Sequence, residues 1–343
     1  MITNQLLYRL SHISKQATNE FCYIIIAHEN TFVNTYIKNF LFFSLGSNIE
    51  EKTYKEVKMK LTDISYARAV MEKHGIAPQK RFGQNFLISE NVVSRIADAA
   101  GSGAHDLGII EIGPGIGKLT QKLAERYRKV IAIEIDTSLL PVLEDTLSEY
   151  ENVKIISGDA MKTDFEELVR EEFDGMRVAV CANLPYYITS PVIMRLLETN
   201  GLFESVTVMI QKEVADRLAS KPGTAEYGAI TASSSYYADI EKIFNVSPAN
   251  FIPPPKVTSS VIRMNIHKTP PVSCENAENL FRVIRGAFAK RRKTLSNSLS
   301  GETNRHTKAE IEAVLVSLGY RADVRGETLG LADFAKISDA LEL

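Results

Sequence analysis

The sequence is poor in cysteine and has no paired cysteine motif. Its 343 residues include three cysteines, Cys22, Cys181 and Cys274, which lie far apart. Without a CxxC pair, neither a disulfide framework nor a zinc site is supported, and the six histidines show no metal-ligand spacing. We therefore expect a protein without a metal, in a reducing, cytoplasmic setting.

The sequence also lacks a long apolar run and a large net charge. No run reaches the ~18 residues that a membrane-spanning helix needs, so we expect no membrane association. The formal net charge of −2 argues against a general nucleic-acid binder. With 45% hydrophobic and 24% charged residues, the composition is that of a soluble globular protein, long enough for two domains.

Basic residues are nevertheless concentrated near the C-terminus. Between residues 280 and 309, eight Lys or Arg residues are opposed by one Glu, which leaves a charge of +7. The eight are Arg282, Arg285, Lys290, Arg291, Arg292, Lys293, Arg305 and Lys308. A local patch of this kind lets an otherwise neutral protein hold a polyanion. A solvated helix face is the alternative interpretation.

Residues 1–58 do not resemble the rest of the chain. They show no sustained helical or strand period, no signal-peptide cleavage pattern and no arginine-rich transit pattern. Lys55-Glu56-Val57 can be encoded by a bacterial ribosome-binding sequence, and Met59 follows at a suitable spacing. We therefore expect residues 1–58 to be a non-native or disordered extension and the native chain to start at Met59. An intact mass of the native protein that includes Met1 would contradict this.

After Met59, short apolar runs alternate with helical patterns, which predicts an α/β fold with a parallel sheet covered on both faces. The runs are Gly108–Ile112, Val130–Glu134, Val153–Ile156, Val178–Ala182 and Val206–Ile210, with a later strand pattern at Val257–Ile266. Ser89 is the expected N-cap of one helix. From about Pro270 onward the patterns are helical only. We therefore predict a sheet domain over residues 59–267 and a small all-helical domain over residues 268–343.

A glycine-rich turn, residues 113–117, follows the first apolar run and precedes a helix expected to start at Lys118. Such a turn brings the backbone close to a ligand. The dinucleotide fingerprint would need glycine where this chain has Lys118, whereas an acidic residue followed by GxGxG is typical of S-adenosylmethionine enzymes. Glu134 and Asp159 follow the next two runs, where they could accept hydrogen bonds from ribose hydroxyls and from an adenine amine. A purely structural turn is the alternative.

Asn183-Leu184-Pro185-Tyr186 follows the fourth apolar run, at the same expected sheet edge. An adenine amine is a poor nucleophile because its lone pair is delocalised into the ring. The Asn183 side-chain oxygen and the Pro185 carbonyl could accept hydrogen bonds from its two N–H groups and so free that lone pair. Tyr186 offers a flat face for the base. Phe251, on a proline-stiffened loop, could stack on an extruded base. A helix-capping Asn and a turn Pro are the alternative reading of the motif.

In order along residues 62–343, these motifs resemble the small-subunit ribosomal RNA adenine dimethyltransferase family. The residues concerned are KRFGQNFL (80–87), EIGPGIG (111–117), NLPYYITS (183–190), FIPPPKVTS (251–259) and AFAKRRKTL (287–295). The resemblance implies a Rossmann-like class I S-adenosylmethionine methyltransferase domain with a small all-helical C-terminal domain. It also implies N6-dimethylation of two adjacent adenosines near the 3′ end of small-subunit ribosomal RNA during ribosome assembly.

The resemblance also assigns roles to matching positions. The expected cofactor contacts are Asn85, Leu87, Gly113, Gly115, Glu134, Asp159 and Asn183. The expected contacts to the target adenine are Asn183, Pro185, Tyr186 and Phe251. For RNA we expect Lys80, Arg81, Arg282, Arg285, Arg291 and Arg292, with Arg282, Arg285 and Arg292 on one helix face. Tyr187 stands where many relatives have Asn. The expected partner is small-subunit RNA or the assembling subunit, and we expect a monomer.

Three other interpretations remain open from the sequence. An erythromycin-resistance methyltransferase, which modifies large-subunit RNA, has nearly the same motifs, but usually with Ile where this chain has Leu184. A non-catalytic RNA-binding assembly factor would be expected to lose Asn183 or the glycine turn. A nicotinamide oxidoreductase is disfavoured by Lys118 and by the lack of a proton donor near the turn.

Overall fold

The computed structural model describes residues 64–79, 83–101, 104–199, 201–290, 292–303 and 305–341. The extension 1–58, Lys80, Arg81 and Arg291 lie outside these ranges, so what the sequence predicts for them stays a prediction. One helix, α1 (Ile64–Lys73), belongs to a unit that ends at Gly75 and is described by itself. A second unit begins at Ile76.

A seven-stranded sheet organises the second unit, and its strands include all of the predicted ones. The strands of the described chain are β1 (Phe86–Leu87), β2 (Gly108–Ile112), β3 (Lys129–Glu134), β4 (Val153–Ser157), β5 (Val178–Asn183), β6 (Ser205–Gln211), β7 (Ala238–Val246), β8 (Phe251–Ile252) and β9 (Ser259–Ile266). The order in the large sheet is β4-β3-β2-β5-β6-β9-β7. Strands β2 to β6 are parallel to one another, whereas β9 runs antiparallel to β6 and β7. This is the predicted α/β architecture.

Helices separate the parallel strands, as crossover connections require. Those of the second unit are α2 (Glu90–Ala100), α3 (Lys118–Ala124), α4 (Leu140–Thr146), α5 (Phe165–Glu172), α6 (Thr189–Leu197), α7 (Lys212–Leu218), α8 (Ala229–Tyr237), α9 (Ala277–Ala289), α10 (Leu295–Thr303), α11 (Lys308–Ser317) and α12 (Leu331–Leu341). Ser89 caps α2, because its side chain accepts the Val92 N–H. Of the helices in the described ranges, none is long and apolar enough to cross a membrane.

Both faces of the central strands are buried, which explains why those strands are mostly apolar. In β2, Ile110 and Ile112 pack into the core on one face, whereas Ile109 packs into the core on the other. Neighbouring β5 alternates in the same way, with Val180 on the first face and Cys181 on the second. In a strand covered on both sides, no side chain faces water, so no position favours a polar residue.

Helices α9 to α12 enclose a third core, as the C-terminal patterns predict. In α9, Leu280 and Ile284 are fully buried there, and Phe281 and Phe288 pack against them. The same core includes Tyr227 and Ala232, which precede the expected boundary near residue 267. The division into domains at 59–267 and 268–343 therefore stays a prediction.

Strand β7 has no counterpart in the sequence analysis. It is an edge strand that pairs with β9 alone, and it has a bulge between Lys242 and Phe244. Its residues are mostly exposed or half-buried, because only one neighbour covers it. The later strand was predicted two residues too long, since β9 begins at Ser259 rather than Val257.

Candidate active site

A cleft opens at the carboxyl ends of β2 to β5, where strand order reverses between β2 and β5. Crevices at this point of an open sheet are where ligands bind in such folds. The space within the cleft is about 1190 Å³ when the part open to solvent is included. Its lining includes Gly83, Asn85, Leu87, Glu111, Gly113, Gly115, Glu134, Ile135, Asp159, Asn183, Pro185, Tyr186, Tyr187 and Phe251.

The glycine turn needs glycine for two different reasons. Gly113 and Gly115 have φ values of +70° and +62°, a left-handed conformation that L side chains rarely adopt. A Cβ on Gly115 would also lie 3.3 Å from the Phe86 ring, so a side chain there would crowd the loop packed beside it. A Cβ on Gly113 would meet nothing within 4 Å, which means that this backbone faces open space. Helix α3 begins at Lys118, as predicted.

Glu134 supports the glycine turn from the next strand. Its carboxylate is 4% exposed and accepts the Asp136 N–H on Oε1 at 2.8 Å and the Gly115 N–H on Oε2 at 3.3 Å. Burial raises the pKa of Glu134, and these backbone donors lower it. One strand further, Asp159 accepts the Met161 N–H at 2.9 Å and lines the cleft. The carboxylates therefore stand at the ends of adjacent strands, at one sheet edge.

Glu111 is a second buried acid, which the sequence marks only as the acidic residue before the glycine turn. Its side chain is 1% exposed, lines the cleft, and has no hydrogen-bond partner for Oε2 among the described residues. Burial raises the pKa of Glu111 to about 8; the nearby Thr120 hydroxyl lowers it and the Glu134 charge raises it. A cationic ligand in the cleft would supply a partner for the remaining oxygen.

The segment that precedes α2 is tied to the cleft by its amides. The Gln79 and Gln84 side chains both donate to Asp136 Oδ2, at 3.2 Å and 2.9 Å. Asn85 donates to the Gly83 carbonyl at 3.1 Å. These contacts hold the expected cofactor residues Asn85 and Leu87 against the sheet edge.

Asn183 ends β5, and its side-chain amide faces this segment. Its Nδ2 donates a long hydrogen bond of 3.5 Å to the Asn85 carbonyl. Among the described residues, no hydrogen bond ends on Asn183 Oδ1, so that oxygen is available as an acceptor in the cleft. The next residue is fixed by the sheet, because the Leu184 N–H donates to the Met209 carbonyl at 3.2 Å.

The role predicted for the Pro185 carbonyl needs a correction. That oxygen already accepts the Ile188 N–H and the Thr189 hydroxyl, each at 3.2 Å. A carbonyl oxygen has two lone pairs, so no acceptor capacity remains for a substrate amine. Pro185 instead starts the 3-10 turn Tyr186–Ile188, and the preceding carbonyl, that of Leu184, receives no hydrogen bond from the described residues.

The two predicted aromatic contacts both line the cleft. The Tyr186 hydroxyl shares a 2.8 Å hydrogen bond with Ser259, and burial raises the pKa of Tyr186, so the phenol stays neutral. Phe251 is 3% exposed and stands in β8, where it pairs with Leu87 of β1. Strand pairing, rather than the proline loop that follows, therefore holds Phe251 in place.

The predicted RNA-binding arginines do not all share one helix. Arg282 and Arg285 lie on α9, where Arg282 is half-buried and donates to Glu278 at 3.2 Å, and Arg285 is exposed. Helix α9 ends at Ala289, so Arg292 lies beyond it in the turn before α10. The expected alignment of Arg292 with Arg282 and Arg285 on one helical face is wrong, because the helix is too short.

Sheet order, glycine turn and switch-point cleft together define a Rossmann-like methyltransferase of class I. Two solved structures support this assignment. A dimethyladenosine transferase from Plasmodium falciparum is similar with a TM-score of 0.62 and 27% identity, covering 74% of this chain and 95% of that one. The 23S rRNA methyltransferase ErmE is similar with a TM-score of 0.58 and 26% identity, covering 76% of this chain and all of the other (100%).

Sequence comparison then identifies the family. Residues 77–333 match the family Ribosomal RNA adenine dimethylase. Proteins named Ribosomal RNA small subunit methyltransferase A, from a Geobacillus species and from Shouchella clausii, are each 47% identical over 80% of this chain, covering 95% and 93% of their own lengths. The chain belongs to the ribosomal RNA adenine dimethylase family. This confirms the predicted fold class and enzyme class, and it excludes the oxidoreductase interpretation.

Proposed function

We propose that this protein transfers methyl groups from S-adenosylmethionine to N6 of two adjacent adenosines near the 3′ end of small-subunit ribosomal RNA. The observation that supports this most is the position of Asn183, whose unoccupied side-chain oxygen lines the same cleft as the glycine turn. The substrate follows from the relatives at 47% identity, which are named for the small subunit.

The residues of the cleft fit S-adenosylmethionine. Gly113 leaves open space beside its backbone, where a ligand can approach closely. Each Glu134 oxygen accepts one backbone N–H and has capacity for a ribose hydroxyl as well. The unpartnered Glu111 oxygen suits a ligand with positive charge. The chemistry required from the cofactor is one electrophilic methyl group on a sulfonium.

Asn183 and Leu184 orient the substrate amine. The Nδ2 donor of Asn183 is used on the Asn85 carbonyl, so Oδ1 accepts one N–H of adenine. The Leu184 carbonyl accepts the other, in the role that Pro185 cannot fill. Two acceptors on the N–H bonds turn the nitrogen toward tetrahedral geometry and localise its lone pair. Because both acceptors belong to a sheet edge fixed before substrate arrives, they need no reorganisation in the transition state.

Tyr186 and Phe251 hold the base from its faces. Both rings line the cleft beside Asn183, and each is fixed by the fold, Tyr186 through Ser259 and Phe251 through strand pairing. An enzyme that works on an extruded base offsets the unstacking cost with such contacts. A neutral tyrosine is suited to this, since a phenolate would be desolvated by the incoming purine.

RNA phosphates meet the basic stretch of the helical part. Arg285 on α9, and Arg292 and Lys293 in the turn after it, are exposed. Arg282 is partly neutralised by Glu278 and contributes less. Lys80 and Arg81, which precede the cleft segment in the sequence, are expected to add positive charge for RNA binding.

Large-subunit RNA is the second candidate substrate, because a solved 23S rRNA methyltransferase has the same fold at 26% identity. One experiment separates the two. The purified protein is incubated with labelled S-adenosylmethionine and undermethylated small or large subunits, and the RNA is digested to nucleosides. We expect label only in small-subunit RNA, as N6,N6-dimethyladenosine. Label in large-subunit RNA alone, or in no adenosine, would contradict the proposal.

A further inference from the structure

Within the described ranges, four large apolar side chains are exposed, and one of them lies at the mouth of the cleft. They are Ile135, Tyr187, Val257 and Val316. Tyr187 is the only aromatic among these four and is the most exposed, at 62%. It lines the cleft directly beside the residue that holds the target base. An exposed aromatic ring that lines a cleft offers a flat apolar face on which a ligand ring can stack.

The backbone holds Tyr187 outward in a fixed position. Tyr186 and Tyr187 occupy one 3-10 turn, which is closed by the hydrogen bonds to the Pro185 carbonyl. Tyr186 points inward to Ser259, whereas Tyr187 points to solvent. Two atoms of the Tyr187 ring lie 3.5 and 3.6 Å from where a Cβ on Gly83 would stand, so one edge of the ring rests on that glycine.

Tyr187 lies in the cleft beside Tyr186, which we propose to hold the target base. Gly83 follows the basic pair Lys80-Arg81 closely in the sequence, which we expect to meet phosphate. Extruding an adenine from an RNA strand leaves the next base without its stacking partner. An aromatic ring one residue away from Tyr186 is placed to replace that partner, and stacking on aromatic rings tolerates any base because every base has a π-face.

We propose that Tyr187 stacks on the nucleobase adjacent to the target adenine and is a substrate-binding residue for the RNA strand. This rests on the proposed methyl transfer to RNA. The hydroxyl of Tyr187 is not needed for this role, whereas the ring is. A contact with a protein side chain of the ribosomal subunit is the alternative, and it would not depend on the neighbouring base.

The test compares Tyr187→Ala and Tyr187→Phe with the wild type, and uses Val316→Ala as a control for loss of an exposed apolar side chain elsewhere. Substrates are small subunits reconstituted on RNA with either a normal or an abasic nucleotide beside the target adenine. We expect Tyr187→Ala to raise the KM for normal subunits roughly tenfold or more, with kcat and cofactor affinity unchanged. Tyr187→Phe and Val316→Ala should behave as wild type. On abasic substrate, the wild type and Tyr187→Ala should become equal.

Two results would overturn the inference while leaving the proposed function intact. One is a KM for Tyr187→Ala equal to that of Val316→Ala on an RNA that the wild type methylates. The other is a defect of the same size on normal and abasic substrates, which would mean that the ring contacts something other than that base. If the wild type methylates no adenosine of the reconstituted subunits, the proposed function itself fails, and this inference fails with it.

Discussion

Replacing Glu111 by Gln should change how the stability of the ligand-free protein depends on pH. Glu111 is 1% exposed, and burial raises its pKa to about 8 from an ordinary 4.5. As pH rises above 4.5, the carboxyl ionises in the unfolded chain but stays protonated in the fold. The folded state then binds more protons, so stability falls with rising pH until about 8 and is level above it.

The size of this effect follows from the same two pKa values. A difference between 4.5 and about 8 corresponds to about 5 kcal/mol at about 1.4 kcal/mol per pH unit. Water entry and local relaxation reduce this, so we expect several kcal/mol. Glutamine has nearly the shape of a protonated glutamate and does not titrate. Glu111→Gln should therefore match the wild type near pH 5 and be more stable by several kcal/mol at pH 9.

The assay is thermal and urea unfolding of cofactor-free protein between pH 5 and pH 9. Glu226→Gln is the matched control, because Glu226 is an exposed glutamate, and its curve should follow that of the wild type. Glu134 titrates in all three proteins, but its charge is coupled to Glu111, so the difference seen for Glu111→Gln includes the loss of that coupling. A Glu111→Gln protein that loses stability with pH as the wild type does, or that is less stable at pH 9, would refute the reasoning.

Three further predictions concern the site and the RNA-binding surface. Arg282→Gln with Arg285→Gln should weaken RNA binding and reduce the slope of log affinity against log salt concentration, by the amount expected from losing up to about two phosphate contacts. Filter binding across salt concentrations measures this slope, and an unchanged slope would reject this placement. Gly115→Ala, at a φ of +62°, should cost about 1 kcal/mol or more in urea unfolding and weaken cofactor binding in calorimetry, and wild-type values for both would contradict the turn's role. Tyr186→Phe, which loses the hydroxyl bonded to Ser259, should lower the free energy of unfolding in urea by about 1 kcal/mol and keep most of the single-turnover transfer rate; a rate lost with the hydroxyl would contradict a role for the ring alone.

The sequence predicted secondary structure best where the burial of each residue follows from the strand or helix in which it lies. The central strands β2, β3, β5 and β6 were predictable because burial on both faces selects mostly apolar residues. Edge strand β7 was not, since Glu241 and Lys242 face solvent there and interrupt the pattern.

The site was predictable at the ends of strands and less so where contacts are distant in sequence. Glu134 and Asp159 meet at one edge because parallel strands align their carboxyl ends. The pairing of Leu87 with Phe251 spans more than 160 residues and leaves no local signal. The occupied Pro185 carbonyl was missed because its donors become visible only in the turn's geometry.

The single-turnover rate of Asn183→Ala tests the central claim most directly, at saturating RNA and cofactor and with both affinities measured separately. Asn265→Ala is the control, because Asn265 pairs with Ser205 at the opposite end of the sheet from the cleft. We expect methyl transfer by Asn183→Ala to be roughly 100-fold to 1000-fold slower, with an RNA affinity within about threefold of wild type. Transfer at the wild-type rate would contradict the claim that Asn183 orients the amine.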